Sequence, residues 1–154
     1  MPTFQQAEQL RAFAEEVFAL SKEVWAQQNR GGREPTEITE TEFLTLDILS
    51  RATETPTVGD IQRQLGVLPA QMSRIIRSLE AKPDGPLVRC EINKSDKRKI
   101  DVSLTDEGVR VYQAYRQMKL ASTQQLLMGL SDQDRQEFMR ILRLIREMLH
   151  KSSS

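Results

Sequence analysis

One cysteine, one histidine and eight aromatic side chains are all that 154 residues provide, and the net formal charge is zero. A lone cysteine excludes an internal disulfide and suits a reducing compartment. A lone histidine, His150, leaves zinc without its usual set of ligands. No apolar stretch approaches the roughly 20 residues that span a bilayer. The opening MPTFQQAEQLRAF has no cationic segment followed by an apolar one, so a secretory leader is not expected. Nor is there a glycine-rich phosphate loop, a Cys–His pair in a nucleophile setting or a metal-ligand cluster. The acidic pair Asp106-Glu107 lies at a helix start, where the helix dipole accounts for it. These absences argue against an enzyme, a cofactor, a metal and a membrane, and for a cytoplasmic protein. At 38% apolar and 29% charged residues, the chain is long enough to bury a core of its own and suits a helix-rich fold.

Zero net charge hides an uneven distribution. From Pro69 to Ile100 the sequence carries eight cations (Arg74, Arg77, Lys82, Arg89, Lys94, Lys97, Arg98 and Lys99) against four anions, leaving −4 for the rest. A phosphate senses the local field rather than the total.

Hydrophobic spacing divides the chain into six helices and one hairpin. Thr3 and Gln6 form a capping box ahead of a stripe through Leu10, Phe13, Val17, Phe18, Val24 and Trp25. Asn29-Arg30-Gly31-Gly32 and Pro35 predict its end and a loop. Thr39-x-x-Glu42 opens a second helix through Phe43, Leu46 and Leu49. Thr57-x-x-Asp60 opens a third, which Gly66 ends. Pro69 stands in the first turn of a fourth, whose inner stripe is Met72, Ile75, Ile76 and Leu79. After the break at Pro83-Asp84-Gly85-Pro86, Val88, Cys90 and Ile92 alternate with polar residues, as do Ile100, Val102 and Leu104. This predicts an antiparallel hairpin around Asn93–Arg98. Thr105 caps a fifth helix with Val109, Tyr112, Tyr115, Met118, Leu126 and Leu127 on one side. Ser131 caps a sixth, with Phe138, Ile141, Leu142, Ile145, Met148 and Leu149 in register. Residues 151–154 are expected to be a frayed tail.

A short helix, a tight turn, an arginine-bearing helix and a cationic hairpin, in that order, read as a winged helix-turn-helix. Such a fold presents its second helix to a DNA major groove. The outward residues of that helix include Pro69, Ala70, Gln71, Ser73 and Arg74, candidates for reading bases, and Arg77, one turn later, suits the phosphate backbone. Lys94, Lys97, Arg98 and Lys99 crowd the hairpin turn, where they would follow phosphates or enter a minor groove. Arginines on a solvent face and lysines in a loop are also ordinary surface. It is their conjunction with the helix pair that favours double-stranded DNA.

Ser95-Asp96-Lys97-Arg98-Lys99 followed by Val102-Ser103-Leu104-Thr105-Asp106-Glu107-Gly108 resembles the wing signature of the MarR (multiple antibiotic resistance regulator) family of bacterial transcription factors. Phe43-x-x-Leu46 and Thr57-Val58-Gly59-Asp60-Ile61 are similar to its second and third helices, and the likeness runs from Leu10 to Leu149. It implies that Arg98 reaches a minor groove and that Asp96 holds an arginine of the wing or of the fourth helix, Arg74 being one partner to consider. Three features depart from the family pattern. Leu68 stands where a Ser or Thr cap is usual, the Lys82–Pro86 link is longer than the usual Lys-Gly, and Arg89 precedes Cys90 where family members often have the arginine one residue further on.

The first, fifth and sixth helices carry more apolar surface than a small winged-helix core can cover. The resemblance implies a homodimer in which residues 1–34 and 106–150 interlock, while residues 36–105 bind DNA. It also implies release by a small aromatic effector, whose crevice Phe13, Trp25, Phe43, Tyr112 and Tyr115 would line, with Phe18 nearby. Aromatics at helical spacing fit plain core as well. Cys90 shares a strand face with Val88 and Ile92 and is expected to be buried and inert. The leading expectation is a repressor of transcription acting on the nucleoid. A winged-helix module that contacts an acidic protein partner is the alternative.

Overall fold

The computed structural model describes residues 1–29 and 38–153. The elements are α1 (Phe4–Asn29), α2 (Glu40–Arg51), α3 (Val58–Leu65), α4 (Pro69–Glu80), β1 (Val88–Ile92), β2 (Ile100–Leu104), α5 (Asp106–Met128) and α6 (Asp132–Ser152). The fold is the expected one, mostly α with a small hairpin. The loop expected at Arg30–Pro35 lies outside the described residues. The chain divides into two compact units, Met1–Tyr112 and Gln113–Ser154.

Local chemistry sets the helix starts in the first unit. The Thr39 hydroxyl accepts the Glu42 amide and Glu42 returns to the Thr39 amide, and Thr57 and Asp60 do the same for α3. Each box satisfies two otherwise orphaned donors. Gly66, at φ 69°, supplies the left-handed residue that ends α3 and turns the chain into α4. Pro69 starts α4, and Leu68 provides no side-chain cap.

The core of this unit is built from one face of each element. Leu46, Ile61, Met72, Leu79, Val88 and Val102 are fully buried, and Phe43, Leu49, Ile75, Ile76, Leu87 and Val111 join them. Burying each such side chain contributes about 1.5–3 kcal/mol relative to exposure. The strands pair antiparallel with Val88 opposite Leu104, Cys90 opposite Val102 and Ile92 opposite Ile100. The Val102 amide also donates to the Pro56 carbonyl at 2.9 Å, which fixes the hairpin to the entry of α3.

Three expectations need correction. Ile92 and Ile100 are exposed, because the hairpin runs past the core that its inner end covers. Val109 is exposed and its neighbour Val111 is buried, so the inward face of α5 begins with Gly108, Val111 and Tyr112. The tail expected to fray is helical through Ser152, with the Ser152 and Ser153 hydroxyls bonded to the Met148 and Leu149 carbonyls.

The Leu-Thr-x-x-Gly run has a steric explanation. The Thr105 hydroxyl accepts the Gly108 amide at 3.0 Å and donates to the Pro86 carbonyl at 2.6 Å, seating α5 against the strand entry. A Cβ on Gly108 would overlap the Leu87 carbonyl. The unit therefore takes in the first turns of α5. Tyr112 stacks on Phe43 with ring centroids 5.5 Å apart and donates to Asp47 at 2.5 Å.

In the second unit, Ser131 caps α6, and the Arg135 guanidinium reaches back to the Leu127 carbonyl at 3.2 Å and to Asp132. No described residue of α6 is buried. No helix among the described residues is long and apolar enough to cross a membrane.

Candidate nucleic-acid interface

Two helical faces define α4. Met72, Ile75, Ile76 and Leu79 are buried, while Pro69, Ala70, Gln71, Ser73, Arg74 and Arg77 are exposed. The helix is thus anchored by its apolar stripe and offers an amide, a hydroxyl and two guanidinium groups to whatever approaches. Among the described residues, neither Arg74 nor Arg77 has an ion-pair partner, so their donors are available to a ligand.

Under α4 lies a buried ion pair that sequence spacing did not reveal. Glu42 is 3% exposed, and one of its oxygens closes the α2 capping box. The other accepts from the Lys82 ammonium at 2.6 Å and from the Ser78 hydroxyl at 3.3 Å. One carboxylate therefore ties the start of α2 to the last turn of α4 and the loop after it. The Thr-x-x-Glu box announced the carboxylate. Its partners, 36 and 40 residues away, became visible only in three dimensions.

The hairpin turn is equally constrained. The Asn93 side-chain oxygen accepts both the Ser95 and Asp96 amides at 2.9 Å, and its nitrogen donates to Asp101 at 2.9 Å. The Asn93 amide donates to the Lys99 carbonyl, and the Lys99 amide to the Asp96 carbonyl, both at 2.9 Å. Asp96 receives the Arg98 amide and Nε at 3.1 Å and its terminal nitrogen at 3.3 Å. Of the partners considered for Asp96, the wing arginine Arg98 holds the position, and Arg74 does not pair with it. The Arg98 guanidinium, followed by its backbone amide and the charge of Lys99, holds the Asp96 carboxyl below its ordinary range. Lys94, Lys97, Arg98 and Lys99 are all exposed on this turn.

The aromatic candidates differ in their surroundings. Phe43 and Tyr112 fill space against each other, Phe13 and Trp25 are exposed on α1, as is Phe18, and Tyr115 belongs to the second unit with the Lys119 ammonium 5.3 Å from its ring. Cys90 is half-buried rather than buried, and its thiol donates to Glu80 at 3.1 Å. Burial first, and then that carboxylate, push the thiol up to about 12, well outside the reactive range. Among the described residues no group of three or more metal-ligating side chains comes together.

Residues 38–100 match the MarR family. No match is found among curated proteins. Among solved structures, MepR, a regulator of the Staphylococcus aureus multidrug efflux pump MepA, is similar at 20% identity and a TM-score of 0.71, covering 89% of this chain and 98% of its own. Streptococcus pneumoniae FabT, solved in complex with DNA, is similar at 16% identity and a TM-score of 0.71, covering 94% and 98%. The PcaV transcriptional regulator of Streptomyces coelicolor, solved with its natural ligand, is similar at 18% identity and a TM-score of 0.62, covering 96% and 98%. At these identities the likeness establishes a shared fold.

Proposed function

We propose that this chain, which matches the MarR family over residues 38–100, is a homodimeric, sequence-specific DNA-binding regulator of transcription that represses by occupying a promoter. The observation that carries the reading is the pairing of two surfaces. The polar, unpartnered face of α4 (Gln71, Ser73, Arg74 and Arg77) stands on a buried stripe, and the turn between β1 and β2 exposes four cations. The amide of Gln71 suits an adenine edge, and the guanidinium of Arg74 suits guanine. Pro69 and Ala70 leave the leading turn slim enough to enter a major groove, with Arg77 placed for a phosphate. Arg98, braced by Asp96, suits a minor groove, where Lys94, Lys97 and Lys99 meet flanking phosphates.

Exposed apolar rows on α1 and α6 supply the second half of the reading. Leu10, Phe13, Val17 and Trp25, and Ile141, Ile145, Met148 and Leu149, leave more apolar surface in water than a lone soluble chain sustains. A second copy would cover them. Two-fold symmetry then requires a pseudo-palindromic operator with half-sites about one helical turn, roughly 10 bp, apart. Release by a small aromatic ligand belongs to the same reading, and PcaV, of similar fold, is solved with its natural ligand.

Selection of bound fragments from the source genome tests the proposal. It should return a short inverted repeat. Arg74→Glu/Arg98→Glu should then lose specific retention of that fragment in a gel shift by more than a hundredfold, with dimer mass and helicity unchanged. Undiminished specific binding by this variant would remove the assignment. Affinity for random duplex that ignores salt would favour the alternative of a module contacting an acidic protein, because each phosphate neutralised contributes about 0.9 to the salt slope.

A further inference from the structure

The wing turn poses a physical problem. Lys94, Lys97, Arg98 and Lys99 lie within six residues and repel one another, and the turn projects from a two-stranded sheet whose outer residues Ile92 and Ile100 are exposed. A cationic loop of this kind, left to itself, samples many shapes, and ordering it on DNA subtracts from affinity. We infer that Asn93 is the positioning residue of this wing: bonded at once to two turn amides and to Asp101 on the opposite strand, it fixes the path that brings Arg98 to the groove.

The bonds form one chain of support. Asp101, in β2, accepts from the Asn93 side chain at 2.9 Å. The Asn93 oxygen gathers the Ser95 and Asp96 amides at 2.9 Å each. That contact turns the backbone so that the Asp96 carboxylate meets the Arg98 amide and guanidinium at 3.1 Å. Only a side-chain amide serves here without adding charge. It accepts twice through oxygen and donates through nitrogen, whereas an aspartate would place a second carboxylate against Asp101. All three of these Asn93 side-chain bonds are internal to the hairpin. Asn93 therefore acts by lowering the ordering cost, and its loss weakens binding without changing the number of phosphates neutralised.

This inference rests on the DNA-binding reading, and its test separates the two. With a fragment selected by the wild-type protein, Asn93→Ala should weaken binding about tenfold, with an unchanged slope of log affinity against log salt. Asn93→Asp should weaken it further. Asn93→Asp/Asp101→Asn reverses the donor and acceptor at the same net charge and should return to within about twofold of wild type. In the free protein, amide exchange at Ser95, Asp96 and Lys99 should quicken in Asn93→Ala and recover in the double variant. Wild-type affinity in Asn93→Ala, a reduced salt slope in that variant, or a double variant that regains slow exchange but not affinity would each overturn the role given to Asn93. A wild-type protein that retains no fragment would instead sink the DNA-binding reading, while amide exchange would still report whether Asn93 orders the turn.

Discussion

At the scale of single residues, local surroundings decide what a side chain can do. Cys90 illustrates this. Its strand register suggested a fully buried thiol, and the structure places it half-buried with Glu80 as acceptor. The conclusion of inertness survives for a different reason. Burial disfavours the thiolate, and a neighbouring carboxylate adds to that, holding the thiol at about 12. An unperturbed thiol titrates at about 8.5, so at pH 8 the folded protein carries far less thiolate than the unfolded chain. Iodoacetamide should therefore label Cys90 at least about a hundredfold more slowly in buffer than in denaturant, followed by mass spectrometry. Glu80→Gln should quicken labelling of the folded protein, since it removes the negative charge that opposes ionisation. Equal rates in folded wild type and denatured chain would show that neither effect operates. Gly108 is the complementary case. Its presence in the Leu-Thr-x-x-Gly run reflects the Leu87 carbonyl, which leaves no room for a side chain.

At the scale of elements, the question is what holds α4 at a fixed angle to the rest of its unit. Its buried stripe supplies most of the attachment, but apolar contact is weakly directional. The Glu42–Lys82 pair, with Ser78, adds direction. Glu42 is almost wholly buried and Lys82 largely so, which makes the pair costly to break from one side. Lys82→Met should lower the urea midpoint by the equivalent of about 3 kcal/mol, leaving a buried carboxylate uncompensated. Glu42→Gln/Lys82→Met should recover a large part of that loss, and the double-mutant cycle should show coupling of about 1–3 kcal/mol. Strictly additive losses would mean that the two side chains do not act as a pair. The sequence announced half of this arrangement, because Thr39-x-x-Glu42 is a local signal read within one turn. It was silent on Lys82, which resembles any other loop lysine until the chain folds.

At the scale of the whole molecule, exposed apolar rows are the dominant unsatisfied feature. α6 has no buried residue, yet Phe138, Ile141, Leu142, Ile145, Met148 and Leu149 recur at three-four spacing. On the dimer reading proposed above, this amphipathic and uncovered helix is half of an interface. Sedimentation should give twice the monomer mass at micromolar concentration, and the melting temperature should rise with protein concentration. Ile145→Glu/Leu149→Glu should shift the mass toward monomer and weaken operator binding by a hundredfold or more, since one half-site alone then remains. A wild-type chain of monomer mass across the whole concentration range would contradict the dimer.

Sequence alone determined what depends on neighbours within a few residues. Period and caps placed six helices and a hairpin, the arginine-bearing face of α4 followed from its apolar spacing, and the cationic turn followed from composition. These signals are local because a helix or strand is a repeating backbone geometry that its own side chains report. Tertiary structure alone decided which residues meet across the chain. Asn93 joins Asp101, Glu42 receives Lys82, and Tyr112 draws the start of α5 onto Phe43. Those pairings depend on strand register and on how buried faces stack, and neither is encoded within the span of a single turn.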